Sequence, residues 1–140
     1  DKLIETHEGT SINLIFKNKN ENYFRKIENH ITLIELEKNN SVISLGGGAF
    51  LNNEIRRKTK KLSVSFWLDV PLIELIKRLR KNSQRPLLFK KNISESVKKI
   101  YFERKRFYSE ADYKIDCNLL KSDEIVDKKI KLYEKKRNKI

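Results

Sequence analysis

Three short apolar runs, SVISL (Ser41–Leu45), LSVSFWLDV (Leu62–Val70) and YKIDCN (Tyr113–Asn118), are separated by much longer amphipathic stretches. The runs are bounded by turn residues and rich in β-branched and aromatic side chains, the signature of short buried strands. SINLIFKN (Ser11–Asn18) places Ile12, Ile15 and Phe16 at helical spacing behind a Ser able to cap, and Asn20–Asn39 continues with Phe24, Ile27, Ile31 and Ile34. Pro71 in a first-turn position precedes Leu72, Leu75, Ile76 and Leu79, and helical patterns recur over Ile93–Ala111 and Ser122–Lys139, with a loop over Ser83–Asn92. Strands alternating with helices of this length predict an α/β fold with crossover connections and a parallel sheet covered by helices on both faces. In such sheets ligands bind beyond the carboxyl ends of the strands. The run Gly46-Gly47-Gly48 stands at the carboxyl end of SVISL.

At 140 residues the chain predicts one domain, 1–140, and its apolar residues fall in periodic runs. A single cysteine, Cys117, excludes an internal disulfide and a cysteine-based zinc cage, suits a reducing cytosol and reads as core filling. No apolar run approaches the ~20 residues of a membrane span, and the opening DKLIETHEG has no signal-peptide core, so a cytoplasmic, untargeted protein without membrane contact is expected. Lacking any methionine and opening on Asp1 in an already periodic pattern, the chain reads as N-terminally truncated. The net charge of +13 is concentrated: between Lys77 and Arg106 stand twelve Lys or Arg against two acids, Glu95 and Glu103. A local cationic excess around one loop favours a phosphate-rich ligand, with a solvated basic face as the competing reading.

The chain has four glycines, three of them consecutive. Without Cβ atoms, a glycine run lets backbone amides approach a ligand closely; a tight strand-to-helix turn accounts for one or two such residues, not three. Arg25 and Glu28 share a helix face at i,i+3, which permits a held guanidinium and equally an ordinary surface pair. Arg85, before Pro86 in a loop without acids, has the character of a phosphate-clamping lid residue or of a plain surface loop. Arg104 stands among the aromatics Phe102, Phe107 and Tyr108, where packed rings with outward arginines are the alternative. His7 and His30 are isolated in sequence and indicate neither metal nor catalysis.

In this order, several pieces of the chain resemble shikimate kinase: D-x-x-I-E at Asp1–Glu5, G-x-S-I-x-x-I-F at Gly9–Phe16, E-x-x-F-R-x-x-E at Glu21–Glu28, VISLGGGA at Val42–Ala49, W-L-D at Trp67–Asp69, RPLL at Arg85–Leu88, and R-x-x-x-Y-x-x-A-D at Arg104–Asp112. The resemblance implies a three-layer P-loop kinase fold of the nucleoside-monophosphate-kinase type. It implies transfer of the γ-phosphate of ATP to the 3-hydroxyl of shikimate, on the route to chorismate and aromatic amino acids, in a cytoplasmic monomer using Mg2+. By the same resemblance Asp1, Arg25, Gly46, Gly47, Gly48 and Arg104 hold the substrate. Arg85, in a lid over about 83–95, reaches the ATP phosphates as the catalytic residue. Arg78 and Leu120 match positions near the adenine, and Ser44 matches one that supports magnesium through water, with no direct metal ligand in this chain.

The chemistry agrees, since paired arginines suit a small carboxylate bearing three hydroxyls. The family's G-x-x-x-x-G-K-[ST] loop and its strand are absent from this sequence, so the piece alone is expected to bind ATP poorly and to be inactive. A gluconate-kinase-like enzyme and a basic nucleic-acid-binding module are the rival readings. FRKIE and SLGGGA argue against the first, and the periodic placing of the aromatics against the second.

Overall fold

The computed structural model describes residues 1–81 and 93–138. The expected loop over Ser83–Asn92, and Arg85 with it, lies outside the described residues; residues 93–95 of the expected lid belong to the first turn of a helix. The chain forms two compact units, Asp1–Ser63 and Val64–Ile140.

The first unit is built from helices. Helix α1 (Lys2–Glu8) stops at Gly9, whose φ of 63° is the left-handed cap that glycine adopts without strain. Helix α2 (Ile12–Asn18) starts behind Ser11, whose hydroxyl accepts from the Leu14 amide, and Glu5 Oε1 accepts from the Ile12 amide at 3.0 Å. Asn20 caps α3 (Glu21–Glu35) by accepting from the Tyr23 amide at 3.0 Å. These caps satisfy amides that have no partner inside a helix. The three helices meet through Ile4, Ile15 and Phe24, with Phe16 and Phe24 at a ring separation of 4.8 Å.

A second cluster forms around Leu36, Ala49 and Ile55. It recruits a helix absent from the sequence reading, α4 (Asn53–Leu62), entered through a 3-10 turn at Ala49–Leu51. Asn52 caps α4 by accepting from the amides of Glu54 and Ile55, at 2.8 and 3.1 Å.

The expected strand Ser41–Leu45 belongs to no sheet among the described residues, which corrects the sequence reading. A ladder needs a neighbouring strand's N–H and C=O groups, and no described strand offers them to this run. Its side chains nevertheless keep the alternation of a strand. Ile43 and Leu45 pack on the second cluster, while Val42 and Ser44 are exposed.

The second unit holds a two-stranded parallel sheet. Strand β1 (Phe66–Asp69) pairs with β2 (Tyr113–Asp116), Phe66 opposite Tyr113 and Asp69 opposite Asp116. Both strands are shorter than the runs that predicted them. Between them come α5 (Leu72–Lys81) and α6 (Ile93–Tyr108), and α7 (Ser122–Arg137) follows β2. Asp112 ties the amino ends of the two strands together: its carboxylate accepts from the Ser65 amide at 2.9 Å, the Ser65 hydroxyl at 2.8 Å and Lys136 Nζ at 2.6 Å. Burial works against that carboxylate's charge, but these donors outweigh it and hold Asp112 below the ordinary value of 3.8.

Candidate functional site

In the first unit, α3 carries Arg25 on a turn whose neighbours at i−4 and i+3 are both glutamates. Arg25 Nη1 donates to Glu28 Oε2 at 2.6 Å, while Nε and Nη2 donate to Glu21 Oε1 at 3.3 and 3.1 Å. Glu28 is 5% exposed, so the pair is no surface ornament: a carboxylate so deeply placed needs a charge-assisted partner. Burial opposes the charge on Arg25, yet its bond to Glu28, that residue's field and then the contact with Glu21 raise its pKa above the ordinary arginine value. The guanidinium is therefore permanently charged and held from two sides.

The glycine run packs directly against this pair. A Cβ built at Gly46 would stand 2.6 Å from Glu28 Oε1, and one at Gly48 would stand 2.5 Å from Arg25 Cζ and 2.7 Å from its Nη2, with Nη1 closer still. No real Cβ tolerates such distances. Gly48 has φ −89° and ψ −26°, open to any residue, so its requirement is space and not backbone freedom. The structure thus brings Arg25, Gly46 and Gly48 together, with Glu28 as the residue that sequence spacing left ambiguous and Glu21 as one it had not singled out. Gly47 between them is exposed. Asp1 stands exposed before α1, its backbone carbonyl accepting from the Glu5 amide, and among the described residues it makes no bond to Arg25. Ser44 is exposed two residues before the glycines. His7 and His30, isolated in sequence, come to a ring separation of 6.4 Å.

In the second unit, Arg104 sits half-buried on α6, and among the described residues no ion pair or hydrogen bond holds its guanidinium. Arg78 on α5 donates through Nε to Glu74 at 2.8 Å in an exposed i,i+4 pair. Leu120 lies half-buried between β2 and α7. At the carboxyl end of β1, Asp69 accepts from Tyr101 Oη at 3.1 Å and pairs with Lys114 Nζ at 2.7 Å. Burial, then the bond to Asp69, raises the Tyr101 pKa. Cys117 follows β2, its amide donating to the Asp69 carbonyl at 2.9 Å. Burial and the Asp116 and Asp69 carboxylates push its thiol up from 9.0. An open groove of about 320 Å³ between β2 and α7, lined by Lys114, Asp116, Lys128 and Lys131 among others, contains none of the expected site residues. Among the described residues no three of His, Cys, Asp and Glu are gathered to hold a metal ion.

Comparison with known proteins converges on one family. The family model described as shikimate kinase matches residues 1–134. The shikimate kinase of Persephonella marina is 40% identical over 82% of this chain and 69% of that protein. That of Thermodesulfovibrio yellowstonii is 35% identical over 99% of this chain and 80% of its own length. Among solved structures, the shikimate kinase of Acinetobacter baumannii in complex with shikimate superposes with a TM-score of 0.88 at 26% identity, covering 94% of this chain and 74% of that one. The Aquifex aeolicus enzyme superposes with a TM-score of 0.80 at 36% identity, covering 99% and 80%. The likeness extends to the fold, so the α/β P-loop kinase architecture expected from the sequence is that of this chain. With the family model spanning nearly all its residues and the paired Arg25 and Glu28 set against the glycine run, the chain belongs to the shikimate kinase family.

Proposed function

We propose that this chain carries the shikimate-binding and lid residues of an enzyme that phosphorylates the 3-hydroxyl of shikimate with ATP as donor, serving chorismate and aromatic amino acid formation, and that without the family's G-x-x-x-x-G-K-[ST] loop it is inactive alone. The observation that carries this reading is the guanidinium of Arg25, clamped by Glu28 and Glu21 against the glycine run. Three of its five N–H groups serve the two glutamates, which leaves two for a ligand carboxylate. A fixed planar fork pairs with a carboxylate at little cost in side-chain ordering. Arg104, without a partner among the described residues, supplies a second cation of the kind a carboxylate substrate recruits. Asp1 and Gly47 are assigned to the hydroxyls of the ring. The complex formed by the Acinetobacter baumannii enzyme shows that a family member takes shikimate.

On the nucleotide side, Arg78 and Leu120 are assigned to the adenine and Arg85 to the transferring phosphoryl group, where a fixed guanidinium acts most strongly on developing charge. Magnesium is proposed to arrive with ATP. The described residues form no oxygen cage for it, and Ser44 offers one exposed hydroxyl able to meet its waters. Both units are assigned to a single domain over 1–140, since the family match runs across the division between them. The protein is proposed to act as a cytoplasmic monomer without nucleic-acid or membrane partners. Among the described residues no helix is long and apolar enough to cross a membrane.

Titration calorimetry with shikimate and with its methyl ester tests the reading. The ester lacks the charge that Arg25 recognises and should bind at least ~10-fold more weakly, since a charge-assisted bond contributes about 1.5–3 kcal/mol. Equal affinity for the two, or tight salt-sensitive binding of oligonucleotides in place of shikimate, overturns it. For the phosphoryl-transfer role, in a protein that also carries the family's phosphate loop, Arg85→Lys should lower kcat with a smaller effect on shikimate affinity, and an unchanged kcat returns that residue to an ordinary surface loop.

A further inference from the structure

We infer that His7 and His30 form a two-imidazole site for a borderline first-row divalent cation, with Zn2+ as the probe. These are the only two histidines of the chain, 23 positions apart, one in the last turn of α1 and one in the middle of α3. The packing of Ile4 against Phe24 joins those two helices, and it carries the two rings to a centroid separation of 6.4 Å with their planes at 56°. Zinc lies about 2.0–2.1 Å from each imidazole nitrogen, and each nitrogen is ~1.2 Å from its ring centre, so two rings sharing one tetrahedral ion stand roughly 5–5.5 Å apart. The observed separation exceeds that by about 1 Å, a gap that rotation of the two exposed side chains about their torsions closes on binding. Both residues are exposed, and neither ring makes a hydrogen bond or ion pair with any other described residue. Their nitrogens are therefore available, and water completes the coordination sphere.

The donor set sorts the ions. Neutral imidazole suits Zn2+, Ni2+ and Cu2+, whereas Mg2+ prefers oxygen ligands and is ignored by such a pair. The site is thus separate in chemistry from any ion that accompanies ATP, and it stands whether or not the functional reading above is correct. Because the two ligands come from different helices, one ion ties α1 to α3 and stabilises the first unit by mass action.

The test is calorimetric titration of Zn2+ into the Cys117→Ser protein in a non-chelating buffer, which removes the thiol as a competing ligand. His7→Asn, His30→Asn and the double variant are compared in the same background. The expected result is one ion per chain, at least tenfold weaker binding in each single variant, no further loss in the double, and no binding of Mg2+ at this site. Zn2+ should also protect His7 and His30 of the unmutated chain from acylation by diethylpyrocarbonate, a readout that depends on no variant. Zinc affinity that survives loss of both histidines, a loss traced to one of them alone, or acylation indifferent to zinc overturns the inference.

Discussion

Gly48→Ala separates the space that a glycine provides from the backbone freedom it provides. The new methyl group would be placed 2.5 Å from Arg25 Cζ and 2.7 Å from Nη2, whereas carbon contacts relax to about 3.5 Å or more, so the guanidinium must retreat by roughly 1 Å. An unrestrained arginine tip would do so freely. Here the tip is tied to Glu28 at 2.6 Å and to Glu21 at 3.1 and 3.3 Å, and a shift of that size lengthens at least the short bond out of good geometry. A hydrogen bond to a charged group contributes about 1.5–3 kcal/mol, and with the Arg25 side chain 30% exposed the lower half of that range applies. Shikimate affinity should therefore fall by roughly 10- to 45-fold, with a lower melting temperature because Glu28 stays buried with a poorer partner. Calorimetry and thermal denaturation on the same sample measure both. A Gly48→Ala protein with unchanged shikimate affinity and unchanged melting temperature would refute the argument, since it would show that Arg25 is not held where the glycine makes room.

Gly9→Ala offers the contrast: a Cβ there meets nothing within 4 Å, but φ is +63°, so the variant should lose about 1 kcal/mol of stability with shikimate affinity intact, and a loss of affinity would contradict this. Asp112 is held below its ordinary value, so its contribution is complete above about pH 5 and disappears as pH falls through 3.8 and below; Asp112→Asn should flatten the melting temperature against pH between 5 and 3, and an identical acid limb would rule this out. Tyr101→Phe removes a 3.1 Å bond but leaves Asp69 its lysine, so denaturant unfolding should register a cost of about 1 kcal/mol, and a cost several times larger would mean that Asp69 depends on Tyr101 alone. With its thiol pushed up by burial and by Asp116 and Asp69, Cys117 should react with iodoacetamide at pH 7.5 severalfold more slowly than in urea, as followed by mass spectrometry; equal rates would contradict the shift.

Elements whose signals are local were legible in the sequence. Ser11 announced α2, and the strand cores Phe66–Asp69 and Tyr113–Asp116 lie inside the runs that predicted them. Helix α4 was not legible because it buries only Ile55 and Thr59 and so lacks an apolar stripe; its signals were electrostatic, Asn52 as cap, Glu54 in the first turn and Lys60 and Lys61 in the last. The run SVISL carried a true alternation, with Ile43 and Leu45 inward, but alternation reports burial of one face and says nothing about a ladder partner. At the site, the spacing of Arg25 and Glu28 gave their contact but not its depth. Burial of Glu28 follows from the approach of the glycine run, a long-range event that spacing along one helix does not encode. The meeting of His7 and His30 is of the same kind.

The run Ser41–Leu45 has a consequence for handling the protein in solution. Its Val42 side chain is fully exposed, its backbone has no ladder partner among the described residues, and its composition favours extended pairing. Such a segment is a template on which a second copy can add a strand. The charge of +13 on every chain opposes that approach, a repulsion that reaches about 10 Å in 0.1 M salt and only about 3 Å in 1 M. Raising ionic strength therefore shortens the reach of that repulsion and should favour strand addition at the run's open backbone, whose one solvent-facing apolar side chain is Val42.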